Sequence, residues 1–274
     1  MLRVLFIFLT FLTIEVKAGG VDPKYDYRDC GSAKNLVGKT YVLCLFISHR
    51  NNPWGEEQAR KMLSILYEAT GWLTEQAASY GKTAEFSIFS LGYNNQTPVY
   101  LDKYPDGPFD PLYKTLIDNS MQAAGYASNF DFESWAKNNS DCDNVLVLMM
   151  FNTTGRAFAI NMDKYCSSYN TKNNLKYRNL EGAALYYYNC YDNYVTEAPV
   201  FAHELLHCFG AWDLYDPYNL SEERERYMAS YFPKSIMRNT SGGFASLEFD
   251  YLTAYLVGLT NKREDWYDYF APSK

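Results

Sequence analysis

Histidine is scarce in this chain, with three among 274 residues, so the places where it occurs carry weight. Basic residues are also in the minority. Lys and Arg total 25 against 32 Asp and Glu, for a formal net charge of −7. A nucleic-acid partner needs a basic face for its phosphates, and nothing here supplies one. No two cysteines form a CxxC pair, so a cysteine zinc site lacks its usual spacing. There is no internal repeat, low-complexity tract or linker. After the N-terminus no apolar run approaches membrane length. What remains is an ordinary globular balance, 47% hydrophobic and 21% charged. The length suits one large domain or two small ones.

The first residues indicate export. Arg3 precedes an uncharged apolar run from Val4 to Ile14, and Val16-Lys17-Ala18 offers small residues at the −3 and −1 positions of a cleavage site. Residues 1–18 therefore read as a secretory signal peptide, too short for a comfortable membrane span. Its removal takes away Arg3, Lys17 and Glu15, a net of +1, and leaves −8 on a secreted mature chain with no membrane attachment. Six cysteines then remain: Cys30, Cys44, Cys142, Cys166, Cys190 and Cys208. An even count in an exported chain points to disulfide bonds, with about 15 connectivities if all pair. Cys44, inside an apolar strand, also suits a buried thiol. Sequons occur at Asn95, Asn138, Asn152, Asn219 and Asn239.

Hydrophobic periodicity predicts strands at 40–48, 84–92, 144–151, 155–161 and 182–188. It predicts helices over about 54–80, 111–125 and 131–138, with Gly81 and Gly125 as stops. The chain turns helical again after 196 and ends in a helix near 246–258. Alternation of strand and helix implies an α/β layer with mostly parallel strands.

The chemistry concentrates in residues 201–215, FAHELLHCFGAWDLY. His203-Glu204-Leu205-Leu206-His207 is an HExxH pattern. Residues four apart on a helix lie about 40° apart around its axis, so both imidazoles face one point and can hold Zn²⁺. Glu204, one step round, can reach a water there and act as general base. Gly210 follows His207 by three residues, and Asp213 follows Gly210 by three. A glycine at that point can end the helix and turn the chain. The turn brings Asp213 back as a third ligand, leaving a fourth position open as catalytic zinc requires. A carboxylate in place of a third imidazole lowers the charge of the site and makes a bound water less acidic.

The resulting HExxHxxGxxD resembles the metzincin metallopeptidases, and its aspartate variant resembles the snapalysin-like branch of that clan. Ser235-Ile236-Met237, 24 residues after Asp213 at its methionine, is similar to the clan's Met-turn. The apolar 246–259 stretch occupies the place of its closing helix. The likeness is specific over about 200–259 and architectural over 38–161. It implies a metzincin-like zincin fold of α/β (α+β) class: a twisted mixed sheet with packed helices, an active-site helix and a small C-terminal subdomain. Residues 19–274 then form one catalytic domain, with subdomains meeting near 210 and 211. The implied activity is zinc-dependent endopeptidase, with one catalytic Zn²⁺ on His203, His207 and Asp213, and Glu204 as base. Met237 and Gly210 support the site, and a monomer acts on a peptide or protein substrate. In the clan an edge strand above the cleft pairs with substrate, and residues 155–161 are the candidate.

Two departures stand out. The position two residues past Met237, where several metzincins carry tyrosine, is Asn239. Tyr215, Tyr218 and Tyr227 lie nearby, and the sequence does not choose among them. Few residues precede the first strand to serve as a pro-segment. Cys30 could cap a zinc ion, although a disulfide suits it better. Glu248, 41 residues past His207, is a rival third ligand of gluzincin type, which would leave Gly210 and Ser-Ile-Met without a purpose. His49 reads as a loop residue. The tyrosine-rich 186–194 stretch suits a subsite or ordinary strand packing. Asp213, Asp216, Glu222 and Glu223 are acidic but lack EF-hand spacing, so calcium is unsupported. Two other functions use the same residues: a catalytically silent, zinc-stapled extracellular binding or adhesion module, and a zinc hydrolase of cell-wall or glycan-linked peptides.

Overall fold

The computed structural model describes residues 32–33, 35–49, 51–94, 97–105, 107, 110–160, 180–215 and 221–271. Residues 1–18, expected to be a signal peptide, and Cys30, Cys166, Asn95, Asp216, Tyr218 and Asn219 lie outside them.

The molecule is a mixed α/β fold. A sheet in the order β2-β1-β4-β6-β5 forms its middle layer. β1 (Gly38–Ser48) and β4 (Asn144–Gly155) lie at its centre and pair in parallel. Both read as continuous apolar runs because both their faces are covered. β2 (Ala84–Leu91) and β6 (Glu181–Asn189) extend the sheet in parallel on either side. β3, only Val99–Tyr100, pairs with the last two residues of β1 beyond the end of β2. β5 (Phe158–Ile160) runs antiparallel, against β6, and is one of the two edge strands among the described residues, β2 being the other. It starts later than the predicted 155–161, because Gly155 ends β4 and Arg156-Ala157 make the turn, and residue 161 lies outside the described residues.

Alternation along the central strands feeds two cores. Val42, Cys44 and Phe46 of β1, with Leu146, Leu148 and Met150 of β4, face α1 (Glu56–Ser79), α4 (Ala198–Cys208) and the C-terminal segment. Leu43, Leu45, Ile47, Val147, Met149 and Phe151 face the opposite way, toward α2 (Leu116–Ala123) and α3 (Asn129–Ser140). The predicted 111–125 helix is a 3₁₀ turn at Pro111–Thr115 followed by α2. The C-terminal part adds α5 (Glu222–Tyr231), α6 (Tyr251–Leu256) and a 3₁₀ turn at Asp265–Phe270. It shares one continuous core with α1 and α4.

Three expectations change. The closing helix is six residues, not thirteen, because Asp250 caps its start by accepting from the Thr253 amide at 2.8 Å. Gly258 (φ +77°) then turns the chain against Asn35. Cys44, Cys142, Cys190 and Cys208 are all free, so the described cysteines form no bridge among themselves and a framework using all six is absent. Burial pushes the Cys44 and Cys208 thiols up, and they behave as buried apolar groups. The Asn152 sequon is 2% exposed, and its amide donates to the Pro53 carbonyl at 3.0 Å and to Gln58 Oε1 at 3.2 Å. Among the described residues no helix is long and apolar enough to cross a membrane.

Candidate metal centre

The site is built on α4. Pro199 lies inside its first turn, and Glu197 is the cap. Phe201, Leu205, Leu206 and Cys208 bury the helix in the core beneath the sheet. His203, Glu204 and His207 are also buried, at 7%, 6% and 9% exposure. Their ligand atoms lie within 4.8 Å of one another, a group that could hold a metal.

Gly210 ends the helix by a mechanism legible in the hydrogen bonds. Its φ is +97°, a region that favours glycine. Its amide donates to the His207 carbonyl at 2.9 Å, and the Ala211 amide donates to the Leu206 carbonyl at 3.0 Å. This pair of bonds is the Schellman arrangement. The reversal aims the Ala211 carbonyl at His207, whose Nδ1 donates to it at 2.8 Å. Leu214 is pinned next, its amide donating to the Met237 carbonyl at 2.9 Å. Asp213 is held between these two anchors.

The Ser235-Ile236-Met237 turn closes the site from the other side. The Ile236 carbonyl accepts from His203 Nδ1 at 2.9 Å. With both Nδ1 atoms donating to carbonyls, both Nε2 atoms are directed into the site. Met237 is fully buried. Ser235 Oγ accepts from the Met237 amide at 3.1 Å and donates to Asp250 Oδ2 at 2.5 Å, so α6 braces the turn.

Three atoms converge. His207 Nε2 lies 3.1 Å from His203 Nε2 and 3.1 Å from Asp213 Oδ1. His203 Nε2 lies 3.3 Å from that same oxygen. A tetrahedral zinc ion with bonds of 2.0–2.1 Å has ligand-to-ligand edges of about 3.3–3.4 Å. The triangle therefore fits one face of a zinc coordination sphere with only a small outward shift. Burial pulls the His207 pKa down, but the charge and hydrogen bond of Asp213 more than reverse this and raise it to about 9. Burial would raise the Asp213 pKa, and the two histidines instead hold it well below the carboxylate range. A metal held by this cluster would take the place of the proton.

Glu204 lies beside that triangle. Its carboxylate has no hydrogen-bond partner among the described residues, although it is buried. Burial raises its pKa, and the two histidines offset part of the rise. A carboxylate on a buried helix face with no hydrogen bond among the described residues, beside groups that could hold a metal, is a candidate functional group.

Two residues join the site that the sequence did not select. Tyr215 lies with its ring over His203, centroids 6.5 Å apart and 28° between planes. Its Oη accepts from Arg156 Nη2 at 3.3 Å. Burial, then the charge of Asp213, push the phenol up, so it keeps its proton as a donor. Its place two residues past Asp213 was the available signal. Arg156, in the β4–β5 turn, had none.

The rival ligand is elsewhere. Glu248 is 63% exposed, pairs with Lys234 at 3.5 Å and lies outside any helix. Tyr227 packs against Tyr231 and Tyr269 on α5. His49 sits at the end of β1 with its ring edge to Tyr104, in a polar cleft shared with Asp102, Lys103 and Thr153. Glu222 and Glu223 occupy the first turn of α5, where a helix N-terminus favours acid without calcium. No family model matches the chain, and no curated protein matches it.

Proposed function

We propose that this chain is a secreted zinc-dependent endopeptidase of metzincin type. The observation that carries this reading is the triangle of His203 Nε2, His207 Nε2 and Asp213 Oδ1, with edges of 3.1–3.3 Å, beside the unpartnered Glu204. Zinc held by these residues supplies Lewis acidity and lets water ionise near neutral pH.

The rest is the work of the chain. Glu204 takes the proton of the attacking water and delivers it to the leaving amine. Its raised pKa suits a group that must both accept and release that proton. The Tyr215 hydroxyl donates to the carbonyl oxygen as negative charge develops there. β5, with its outer edge unpaired among the described residues, offers main-chain hydrogen bonds to an extended substrate. The Ile236 and Ala211 carbonyls fix the two imidazoles. The mixed sheet, the helix beneath it and the short C-terminal elements below the cleft agree with the metzincin-like zincin fold that the sequence resembles.

The test uses purified residues 19–274 and an unfolded protein substrate. The parent cleaves it, a zinc chelator abolishes cleavage, and Glu204→Ala is inactive while retaining zinc. Zinc bound with no cleavage of any protein, glycan-linked or cell-wall peptide would favour the silent binding module. Cleavage confined to the last two substrates would favour the wall hydrolase.

A further inference from the structure

We infer that Arg156 is a specificity residue, selecting peptides that carry a carboxylate next to the bond being cut. This rests on the peptidase reading above.

The position is the first argument. Arg156 occupies the turn between β4 and β5, at the start of the edge strand that would receive substrate. It reaches across to Tyr215 on the loop that follows Asp213. It thus stands where an extended peptide must pass on its way over the metal ligands.

The second argument is its lack of a counter-ion. The guanidinium is half-buried and makes one hydrogen bond, to the Tyr215 phenol. No carboxylate of the described residues forms an ion pair with it. Arg60, Arg238 and Arg263 each hold a carboxylate, at 2.5, 2.6 and 2.6 Å, and Arg224 holds two backbone carbonyls. A guanidinium has five N–H donors in a rigid fork shaped for a planar anion. Among the described residues, only one of them has a hydrogen-bond partner. A cation kept partly out of water without its counter-charge is a cost that a ligand can offset.

The third argument is charge. Asp213 and Glu204 bring two negative charges to the site, and the field of Arg156 reaches both. A divalent metal cancels the two carboxylates and leaves Arg156 as the net charge of the cleft. The loaded cleft is then cationic in a chain whose overall charge is −7. That local reversal of sign favours an anionic substrate group. The group is a carboxylate, from an acidic side chain or from the substrate's own C-terminus.

The experiment first maps the bond cut by the parent in a peptide library by mass spectrometry. Matched peptides then carry Glu or Gln at each flanking position, and a free or amidated C-terminus. Binding is read by fluorescence anisotropy on zinc-loaded Glu204→Gln protein, which does not turn substrate over. We expect one carboxylate to tighten Kd by about ten- to a hundredfold over its neutral partner, the range for a hydrogen-bonded charge pair. Addition of Arg156→Gln erases that preference, and Arg156→Lys restores part of it. In the active background, Arg156→Gln raises KM several-fold more for the carboxylate peptide than for its neutral partner, while any loss of kcat through the Tyr215 contact is common to both. Gain at a flanking Glu identifies a side-chain pocket, and gain at the free C-terminus identifies terminal recognition. An equal fall in kcat on every peptide with no such difference in KM would make Arg156 a positioning group for Tyr215 and overturn the proposal, as would a parent with no carboxylate preference. A parent that binds and cleaves no peptide at all defeats the peptidase reading itself, which is a separate and recognisable result.

Discussion

Replacing Asp213 with alanine should separate metal binding from catalysis. The aspartate supplies one corner of a triangle whose other corners are His203 and His207, at 3.3 and 3.1 Å. Zinc bound through four ligands is held by about 10–16 kcal/mol, so one ligand is worth roughly 3–4 kcal/mol. At 1.4 kcal/mol per decade, zinc affinity should fall roughly a hundred- to a thousandfold. The histidines keep their orientation, because their Nδ1 hydrogen bonds go to the Ile236 and Ala211 carbonyls and not to Asp213. Loss of affinity should therefore come without loss of fold. A competition titration against a chromophoric chelator at pH 7.5 measures the affinity, and far-UV circular dichroism checks the fold. Glu248→Ala is the control and should leave affinity unchanged, since that side chain is exposed and paired with Lys234. An Asp213→Ala protein that binds zinc within about threefold of the parent would refute the assignment, most clearly if Glu248→Ala binds poorly.

Three further outcomes follow from the same geometry. Gly210→Ala forces a side chain to φ +97° and should cost about 1–3 kcal/mol in urea denaturation, while weakening zinc by displacing the Asp213 loop. Asp250→Ala removes the α6 cap and the brace on Ser235, and should cost about 1–2 kcal/mol and lower zinc affinity about tenfold through the loosened Ile236 carbonyl. In chelator-treated protein, Asp213 raises the His207 pKa from 6.5 to about 9. Stability from this pair is thus complete below pH 6.5 and is lost as pH rises through 9. Urea midpoints at pH 6 and 9.5 should differ in the parent and converge in Asp213→Asn.

The central architecture was legible because its causes are local and periodic. β1 and β4 announce themselves as unbroken apolar runs, and α1 by apolar residues at three and four. The metal-ligand candidates were legible because helix geometry and one glycine turn fix where His203, His207 and Asp213 point. Other features depend on distant partners. β3 is two residues long and exists only because β1 outruns β2. The closing helix looked longer because apolar periodicity continues across both of its boundaries, while Asp250 and Gly258 set them. Arg156 meets Tyr215 from 59 residues away, brought there by the β4–β5 turn, and no spacing rule reveals it.

The buried amide of Asn152 has a consequence for where the protein can be made. Its nitrogen is spent on Pro53 and Gln58, between the end of β4 and the start of α1, yet Asn152-Thr153-Thr154 is an acceptor sequence. In a secretory pathway that attaches sugars to nascent chains, the transferase would meet this asparagine before the sheet closes over it. A sugar there would occupy space that the finished fold fills with protein. Each molecule would then face a race between glycosylation and strand assembly, with modified copies unable to complete the fold. Production in a host without that machinery avoids the race, and an Asn152-preserving Thr154→Val change would remove it in a host that has it.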